Sequence, residues 1–171
     1  MGIRPRLLVW LLLLVVAPLS AQAFNFAPTE PKPAPELDFL DGQGNAVSLE
    51  DFRGQVVVLN LWATWCAPCR REMPSLDRLQ AEFGDDGLKV LPLSLDRGEV
   101  TQIEAFYAEV GLPTLDIYHD PEGAAGSAFG AYGLPTTIVI DREGREIGRL
   151  LGPAEWDSEE AMTLIRAVLA E

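Results

Sequence analysis

The chain has 171 residues, of which 48% are apolar and 23% charged, as is typical of one globular domain. Its 13 basic and 26 acidic residues give a net charge of −13, which argues against nucleic-acid phosphates or an anionic membrane surface as partners. Two cysteines and one histidine supply too few ligands for a structural zinc finger. A hydrolase would have His119 as its sole imidazole base, which weakens that interpretation.

The first 23 residues have the three parts of a secretory signal. Arg4 and Arg6 precede an apolar run at residues 7–17, and Ala-Gln-Ala at 21–23 is a cleavage site. As a helix the run covers about 16 Å, roughly half of a bilayer core. We therefore predict an extracytoplasmic protein, in the periplasm or an equivalent space, that is soluble after cleavage at residue 23. An uncleaved N-terminal anchor is the alternative.

Residues 24–36 contain four prolines, which disfavour helix and sheet and predict an extended, polyproline-like tether. The folded domain is expected to occupy residues 37–171. It opens with a predicted hairpin, in which strands at 37–40 and 46–49 flank a turn at 41–45.

A near-continuous apolar, β-branched run at 56–62 predicts a central strand that is covered on both faces. The next helix has Pro68 in its first turn and ends at Gly84. A second strand at 88–95 contains Pro92, which removes a backbone donor and favours a place near a sheet edge or bulge.

The remaining predicted elements alternate between helix and strand. They are a helix at 103–110 closed by Gly111, a strand at 115–118, a weak helix at 124–132, a hairpin at 136–140 and 146–151, and a helix that starts near Asp157. The sum is an α/β fold with a mixed sheet flanked by helices.

The two cysteines form the sequence Cys66-Ala67-Pro68-Cys69 where the central strand passes into a helix. The positive end of that helix, with Arg70 and Arg71 in its first turn, favours the thiolate of Cys66. Cys69 lies three residues on and can attack a mixed disulfide on Cys66, which releases the partner reduced. A purely structural disulfide is disfavoured, because closing a four-residue loop contributes only about 2 kcal/mol.

Two other side chains near the dithiol leave alternatives open. Glu72 follows Cys69 by one turn, so it either exchanges the proton of Cys69 or is an ordinary solvated carboxylate. Met73 could join both thiolates in a Cu(I) site, although it fits the apolar pattern of the helix core better. Pro74 lies inside the helix and predicts a kink there.

Over residues 33–152 the sequence resembles the thioredoxin superfamily, and within it the exported TlpA/ResA-like thiol:disulfide oxidoreductases. The resemblance is carried by PAPELDFLDGQGNAVSLEDFRGQVVVLNLWATWCAPCRREMP, LKVLPLSLD and GLPTTIVIDREGREIG. Within these segments Trp65 precedes the dithiol, and Pro74 follows Cys69 by five residues. The resemblance implies a thioredoxin-like fold with an added N-terminal β-hairpin and a helix/strand insertion.

The resemblance also implies roles for particular residues. Leu134-Pro135 would be a cis peptide that faces the dithiol, where its backbone would pair with an incoming peptide. The predicted substrate-binding residues are Trp65, Leu134, Pro135 and Thr136. Glu72 matches the active-site glutamate of ResA-like proteins. Asn60 stands where ordinary thioredoxins carry a buried aspartate, so it marks the exported branch.

The direction of electron transfer follows from the residues between the cysteines. Ala67-Pro68 lacks the histidine that stabilises the thiolate of strong oxidants, which favours a reductant. The resemblance implies disulfide-bearing exported proteins as substrates, such as apocytochromes c or copper-site proteins, and a membrane thiol reductase as electron donor. We expect a monomer without cofactor, metal or nucleic acid. A thiol oxidase and a Cu(I)-binding module are the alternatives, and a peroxidase is less favoured because the active site is a C-x-x-C pair.

The histidine and three of the tryptophans have ordinary interpretations. His119, next to Asp120-Pro121, is expected to be an exposed turn residue. Trp62 and Trp156 are expected to pack in the core, whereas Trp65 should flank the exposed sulfur.

Overall fold

The computed structural model describes residues 24–171, so the predicted signal at 1–23 lies outside the described residues. The elements are β1 Ala27–Pro33, β2 Asp38–Asp41, β3 Ala46–Ser48, β4 Val56–Trp62, α1 Ala67–Phe83, β5 Leu88–Ser94, α2 Thr101–Val110, β6 Tyr118–His119, α3 Ala124–Ala128, β7 Thr136–Ile140, β8 Arg145–Leu151 and α4 Glu159–Leu169. None of the helices in this part of the chain is both long and apolar enough to cross a membrane.

The strands form one mixed sheet in the order β1-β8-β7-β4-β5-β6-β2-β3. β4 pairs in parallel with β5 and antiparallel with β7, so Val58 lies opposite Val90 on one side and Val139 on the other. β5 pairs in parallel with the short β6, which joins the β2–β3 hairpin to the sheet. This arrangement confirms the predicted α/β, thioredoxin-like fold with an added hairpin.

β4 is buried along its whole length and divides the core in two. Val56, Val58 and Trp62 belong to the cluster that contains the apolar side of α1. Val57 and Leu59 alternate with them and belong to the second cluster, which contains residues of the hairpin and α3. The prediction of a strand covered on both faces is therefore confirmed.

α1 begins directly after β4 and carries the dithiol at its start. Cys66 is the N-cap residue, and Pro68 lies in the first turn, where its missing N–H leaves no helical hydrogen bond unmade. The helix continues through Pro74 and is capped by Gly84, as predicted. Met73 and the leucines that follow it at helical spacing are fully buried, so the apolar side of α1 presses the dithiol end against the sheet.

The prediction that prolines keep residues 24–36 out of the sheet is wrong. Ala27–Pro33 forms β1, which pairs antiparallel with β8 at the edge of the sheet. An edge strand needs hydrogen-bond donors on one side only, so it tolerates prolines that a central strand would not. Lys32 adds an ion pair with Glu146, and Phe24 packs edge-on against Trp156 at 5.3 Å between ring centroids.

Several predicted boundaries and positions also differ from the structure. β5 lies between β4 and β6 rather than at an edge, and Pro92 is accommodated because β6 pairs only with the next two residues of β5. α4 begins at Glu159, since the hydroxyl of Ser158 and not Asp157 caps it. The strand expected at 115–118 is instead the two-residue strand Tyr118–His119, and the helix expected to reach residue 132 ends at Ala128. Gly130 then adopts a left-handed conformation with φ +59°, which is incompatible with continuing that helix.

Candidate active site

Cys66 and Cys69 are joined by a disulfide at the start of α1, with 5.3 Å between their Cα atoms. The two sulfurs differ in access, because Cys66 keeps 6% of its surface exposed and Cys69 none. The backbone N–H of Cys69 donates to the Cys66 sulfur at 3.3 Å. Helix N–H groups thus point at Cys66, where they stabilise a thiolate.

The two arginines after the dithiol contribute unequally to this environment. Arg70 forms an ion pair with Glu109 at 3.2 Å, and its guanidinium stacks over Phe106 at 4.6 Å. Arg71 is exposed. The charge of Arg70 is largely compensated, and the charge of the exposed Arg71 is screened by solvent. The end of the helix is therefore the main local stabiliser of negative charge on Cys66.

Cys66 opens into a groove of about 700 Å³. Trp65 borders it with 72% of its surface exposed, and Tyr132 on the facing loop is fully exposed. Leu134 lines the same groove. The surface next to the accessible sulfur is therefore concave, carries two exposed aromatic side chains and is open to another macromolecule.

A buried carboxylate holds the loop that leads into the dithiol. Asp96 accepts hydrogen bonds from the backbone N–H and the hydroxyl of Thr64, both at 2.8 Å, and from the Ser94 hydroxyl at 2.7 Å. The Nε2 atom of His119 lies 2.7 Å from the Asp96 carbonyl oxygen. The prediction that His119 is an exposed turn residue is wrong, because β6 is an interior strand of the sheet and buries it.

The peptide bond between Leu134 and Pro135 is cis, as the resemblance implied. The Pro135 carbonyl accepts a hydrogen bond from Gly152 at 2.9 Å, and the Thr136 hydroxyl donates to the Gly133 carbonyl at 2.7 Å. Pro135 and Thr136 are buried and line a second hollow of about 350 Å³, while Leu134 borders both this hollow and the groove. The loop is thus held in place beside the dithiol groove.

Glu72 is almost completely buried, with 1% of its surface exposed. The amide nitrogen of Asn60 donates to one carboxyl oxygen at 2.7 Å, and the Ala154 N–H donates to the other at 3.0 Å. Burial raises the pKa of Glu72 to about 7, the two donors oppose that rise, and the nearby Glu155 carboxylate adds to it. Glu72 is therefore not a solvated surface carboxylate, and it titrates near neutral pH.

The donors to Glu72 are themselves held by the fold. Asn60 lies on β4 opposite Thr137 of β7, and its amide nitrogen also donates to the Thr137 hydroxyl at 2.9 Å. The hydroxyl of Ser75, one turn after Glu72, accepts a hydrogen bond from the backbone N–H of Trp156 at 3.0 Å and so fixes the segment that contains Ala154. The carboxyl group is thus clamped between the central strand and a loop that follows β8.

Met73 is fully buried and packs in the core cluster that also contains Cys69. Within residues 24–171, no group of three or more His, Cys, Asp and Glu side chains is arranged to hold a metal ion.

The sequence model of the AhpC/TSA family matches residues 31–145. The chain belongs to this family. It is 31% identical to the thiol-disulfide oxidoreductase ResA of Bacillus thuringiensis subsp. konkukian, over 71% of this chain and 69% of that protein. This family member is accordingly a thiol:disulfide oxidoreductase with a C-x-x-C pair.

Solved structures of thiol:disulfide oxidoreductases also superpose on this chain. A crystal structure described as the thiol:disulfide interchange protein DsbE of Chlorobium tepidum superposes with a TM-score of 0.73 and 30% identity, covering 84% of this chain and 99% of that one. The secreted thiol-disulfide isomerase of Corynebacterium glutamicum gives a TM-score of 0.69 at 25% identity, over 85% of this chain and 90% of that one.

In this oxidoreductase the structure brings most of the predicted site residues together. Trp65, Cys66 and Leu134 line one groove, while Cys69 and Glu72 are buried on the helix behind it. Pro135 and Thr136 lie in the adjoining loop and border the second hollow.

Sequence reasoning missed three residues of the site, Asp96, Arg97 and Tyr132, which all line the groove. A signal was available for Asp96 and Arg97, because they follow β5, and the carboxyl ends of parallel strands meet at the same edge of a sheet as the dithiol. Tyr132 lies in a loop without regular periodicity, and no local pattern identifies it.

Proposed function

We propose that this oxidoreductase is a dithiol reductant of protein disulfides in an extracytoplasmic compartment. One observation carries the proposal: of the two sulfurs at the start of α1, only Cys66 reaches an open groove, and Cys69 is buried behind it. This asymmetry suits an attacking and a resolving thiol. No cationic side chain stands between the cysteines to favour the reduced form, which supports a reductant over an oxidant.

The reaction proceeds by two thiol–disulfide exchanges. The Cys66 thiolate attacks one sulfur of the partner disulfide, which forms a mixed disulfide and frees the other partner sulfur as a thiolate. Cys69 then loses its proton, attacks the Cys66 sulfur and releases the second partner sulfur. Two electrons pass to the partner, and the two protons of the enzyme dithiol end on the partner thiols.

Glu72 is the proposed base for the second exchange. Its carboxyl group lies one helical turn after Cys69, and its pKa of about 7 lets it take a proton from a thiol and return it to a departing thiolate at neutral pH. Asn60 and Ala154 N–H act as positioning groups, since they hold both carboxyl oxygens. The role of Pro135, with Trp65 and Thr136, is to align the partner segment at the groove.

The physiological setting is part of the proposal. The signal-like pattern at residues 1–23 and the likeness to a secreted thiol-disulfide isomerase support an extracytoplasmic location. The resemblance to ResA-like proteins supports apocytochromes c or copper-site proteins as substrates and a membrane thiol reductase as the source of electrons. The chain is proposed to act as a monomer.

A trapping experiment tests the proposal. Reduced Cys69→Ser protein should accumulate a mixed disulfide with a disulfide-bearing peptide through Cys66, while Cys66→Ser should form none. Mass spectrometry of the adducts reads out both variants. Adducts on Cys69 in the Cys66→Ser variant, at the rate seen for Cys66, would contradict the assigned roles.

The direction is tested by the reduction potential. A reductant should equilibrate near the potential of thioredoxin, about −270 mV, whereas a value near the −120 mV of a strong oxidant would favour the oxidase alternative. Tight Cu(I) binding together with unchanged activity of Cys69→Ser would favour the metal-binding alternative.

A further inference from the structure

The groove beside Cys66 is where a partner must place its disulfide, so its surface chemistry bears on which partners are accepted. Within residues 24–171 the exposed large apolar side chains are Trp65, Tyr132 and Leu151. Trp65 and Tyr132 both line the groove, and Leu151 borders the neighbouring hollow together with Tyr132. The exposed apolar surface of this part of the chain is thus concentrated around the accessible sulfur, as at a site for another polypeptide.

The groove also contains an unpaired positive charge. Arg97 lines it and is exposed. Across the described part of the chain, Arg71 and Arg97 are the basic residues without an ion pair, a hydrogen bond or a ring contact. Each of the other basic residues there has at least one. In a chain of net charge −13, a free cation at the dithiol groove is exceptional.

The carboxylate beside Arg97 forms no ion pair with it in the described part of the chain. Asp96 lines the same groove but is only 3% exposed, and its oxygens accept hydrogen bonds from Thr64 and Ser94. The exposed guanidinium of Arg97 is therefore free to contact an incoming group. An anionic side chain on the partner is the complement that this cation can recognise.

We infer that the groove selects a disulfide-bearing polypeptide segment with an acidic side chain close to the cysteine that Cys66 attacks. This inference rests on the proposed reductase function and names the class of its substrate. Arg97 binds the acidic side chain, while Trp65 and Tyr132 hold the apolar part of the segment. A second copy of this chain is a poorer occupant, because two molecules of charge −13 repel each other.

Three peptides test the inference. All three have one internal disulfide and the same apolar residues. They differ only in the two residues that flank the first cysteine, which are both Glu in the first peptide, both Gln in the second and both Lys in the third. Rates of reduction by the reduced chain are measured at about 0.15 M ionic strength, where a Debye length of about 8 Å screens the net charge of the chain but leaves a direct contact with Arg97. The Glu peptide should react about two- to fivefold faster than the Lys peptide, the range expected for an exposed ion pair. The difference should disappear in 1 M salt, where charges are screened within about 3 Å.

Charge-reversal variants assign the preference to Arg97. Arg97→Glu should favour the Lys peptide, and Arg97→Gln should show little preference. Arg71→Glu is the matched control: it changes the charge equally at another exposed, unpaired arginine that does not line the groove. Its Glu-to-Lys rate ratio should stay close to that of the parent chain.

The possible outcomes distinguish failure of the inference from failure of the reductase proposal. Equal rates with all three peptides, or a preference that persists in Arg97→Glu, would overturn the inference and leave the reductase proposal intact. Failure to reduce even the Gln peptide would overturn the reductase proposal itself. A third outcome combines two measurements: sedimentation shows a dimer, and the rate of peptide reduction per molecule falls as the protein concentration rises. This outcome would assign the groove to a second copy and overturn the inference.

Discussion

Glu72 and Glu146 are equally buried, each with 1% of its surface exposed, but their surroundings differ. Glu146 on β8 forms ion pairs with Arg149 at 2.6 Å and with Lys32 of β1 at 3.3 Å. Glu72 on α1 receives only neutral donors, the amide of Asn60 and the N–H of Ala154. One carboxylate is compensated by two cations and the other by none.

The difference separates a structural group from a group suited to proton transfer. A buried carboxylate beside cations joins elements of the fold, and Glu146 thereby ties the edge strand β1 to β8. Glu72 has no cation to offset its burial, so its pKa rises to about 7. Equal burial therefore does not imply an equal role.

The largest expected effect is on the pH dependence of stability. Glu72 has a pKa of about 7 in the folded chain against an ordinary value of 4.5, so between these pH values the folded state holds a proton that the unfolded state has released. Stability falls as pH rises through this window, by about 3 kcal/mol in total. Glu72→Gln removes this loss, so from pH 4.5 to pH 8 the variant should gain about 3 kcal/mol relative to the parent in urea unfolding.

The control for this measurement is Glu82→Gln, which removes a carboxylate from an exposed position of the same helix. Its pH profile should follow that of the parent chain. A constant difference between Glu72→Gln and the parent over the whole window would show that Glu72 does not titrate differently in the folded chain.

The next largest effect concerns Glu146. Glu146→Gln leaves Arg149 and Lys32 without their anionic partner and should lower the free energy of unfolding by about 2 kcal/mol at pH 7. This is less than the roughly 3–5 kcal/mol of a fully buried pair, because 57% of the Lys32 side chain is exposed. Urea unfolding measures the loss, and hydrogen exchange should accelerate first in β1.

Lys32→Gln is the matched variant for that ion pair. Since Lys32 is largely exposed, its loss should cost less than about 1 kcal/mol. Equal costs for the two substitutions would mean that Glu146 does not depend on Arg149.

The contrast between the two glutamates could not be predicted from the sequence, although much of the fold could. The run at 56–62 and the proline- and glycine-bounded helix after it were predicted because their patterns are local. The burial of Glu72 depends on Ala154, 82 residues away, and spacing alone left its role open. The pairing of β1 is equally non-local, which is why its prolines were misinterpreted as a tether. The cis bond before Pro135 was implied by family resemblance, since local preference alone favours trans.

The smallest of the three effects is kinetic and concerns the proposed base. Glu72→Gln removes the acceptor for the Cys69 proton, so resolution of the mixed disulfide at neutral pH should slow by about tenfold, or about 1.4 kcal/mol of activation free energy. The factor is smaller than for most general bases, because free thiols already ionise slightly near neutral pH. Single-turnover reduction of a disulfide peptide, quenched with acid and analysed for the adduct on Cys66, measures this step. Glu146→Gln should resolve at the rate of the parent chain.

A pH series distinguishes a missing base from general damage to the site. At high pH hydroxide accepts a thiol proton without help from a side chain, so the gap between Glu72→Gln and the parent should narrow as the pH rises. A deficit that stays constant from pH 7 to pH 10, or an equal deficit in Glu146→Gln, would indicate disturbed packing instead of a lost proton acceptor. Resolution at the parent rate at pH 7 would remove Glu72 from the mechanism, and its burial would then have the same structural meaning as that of Glu146.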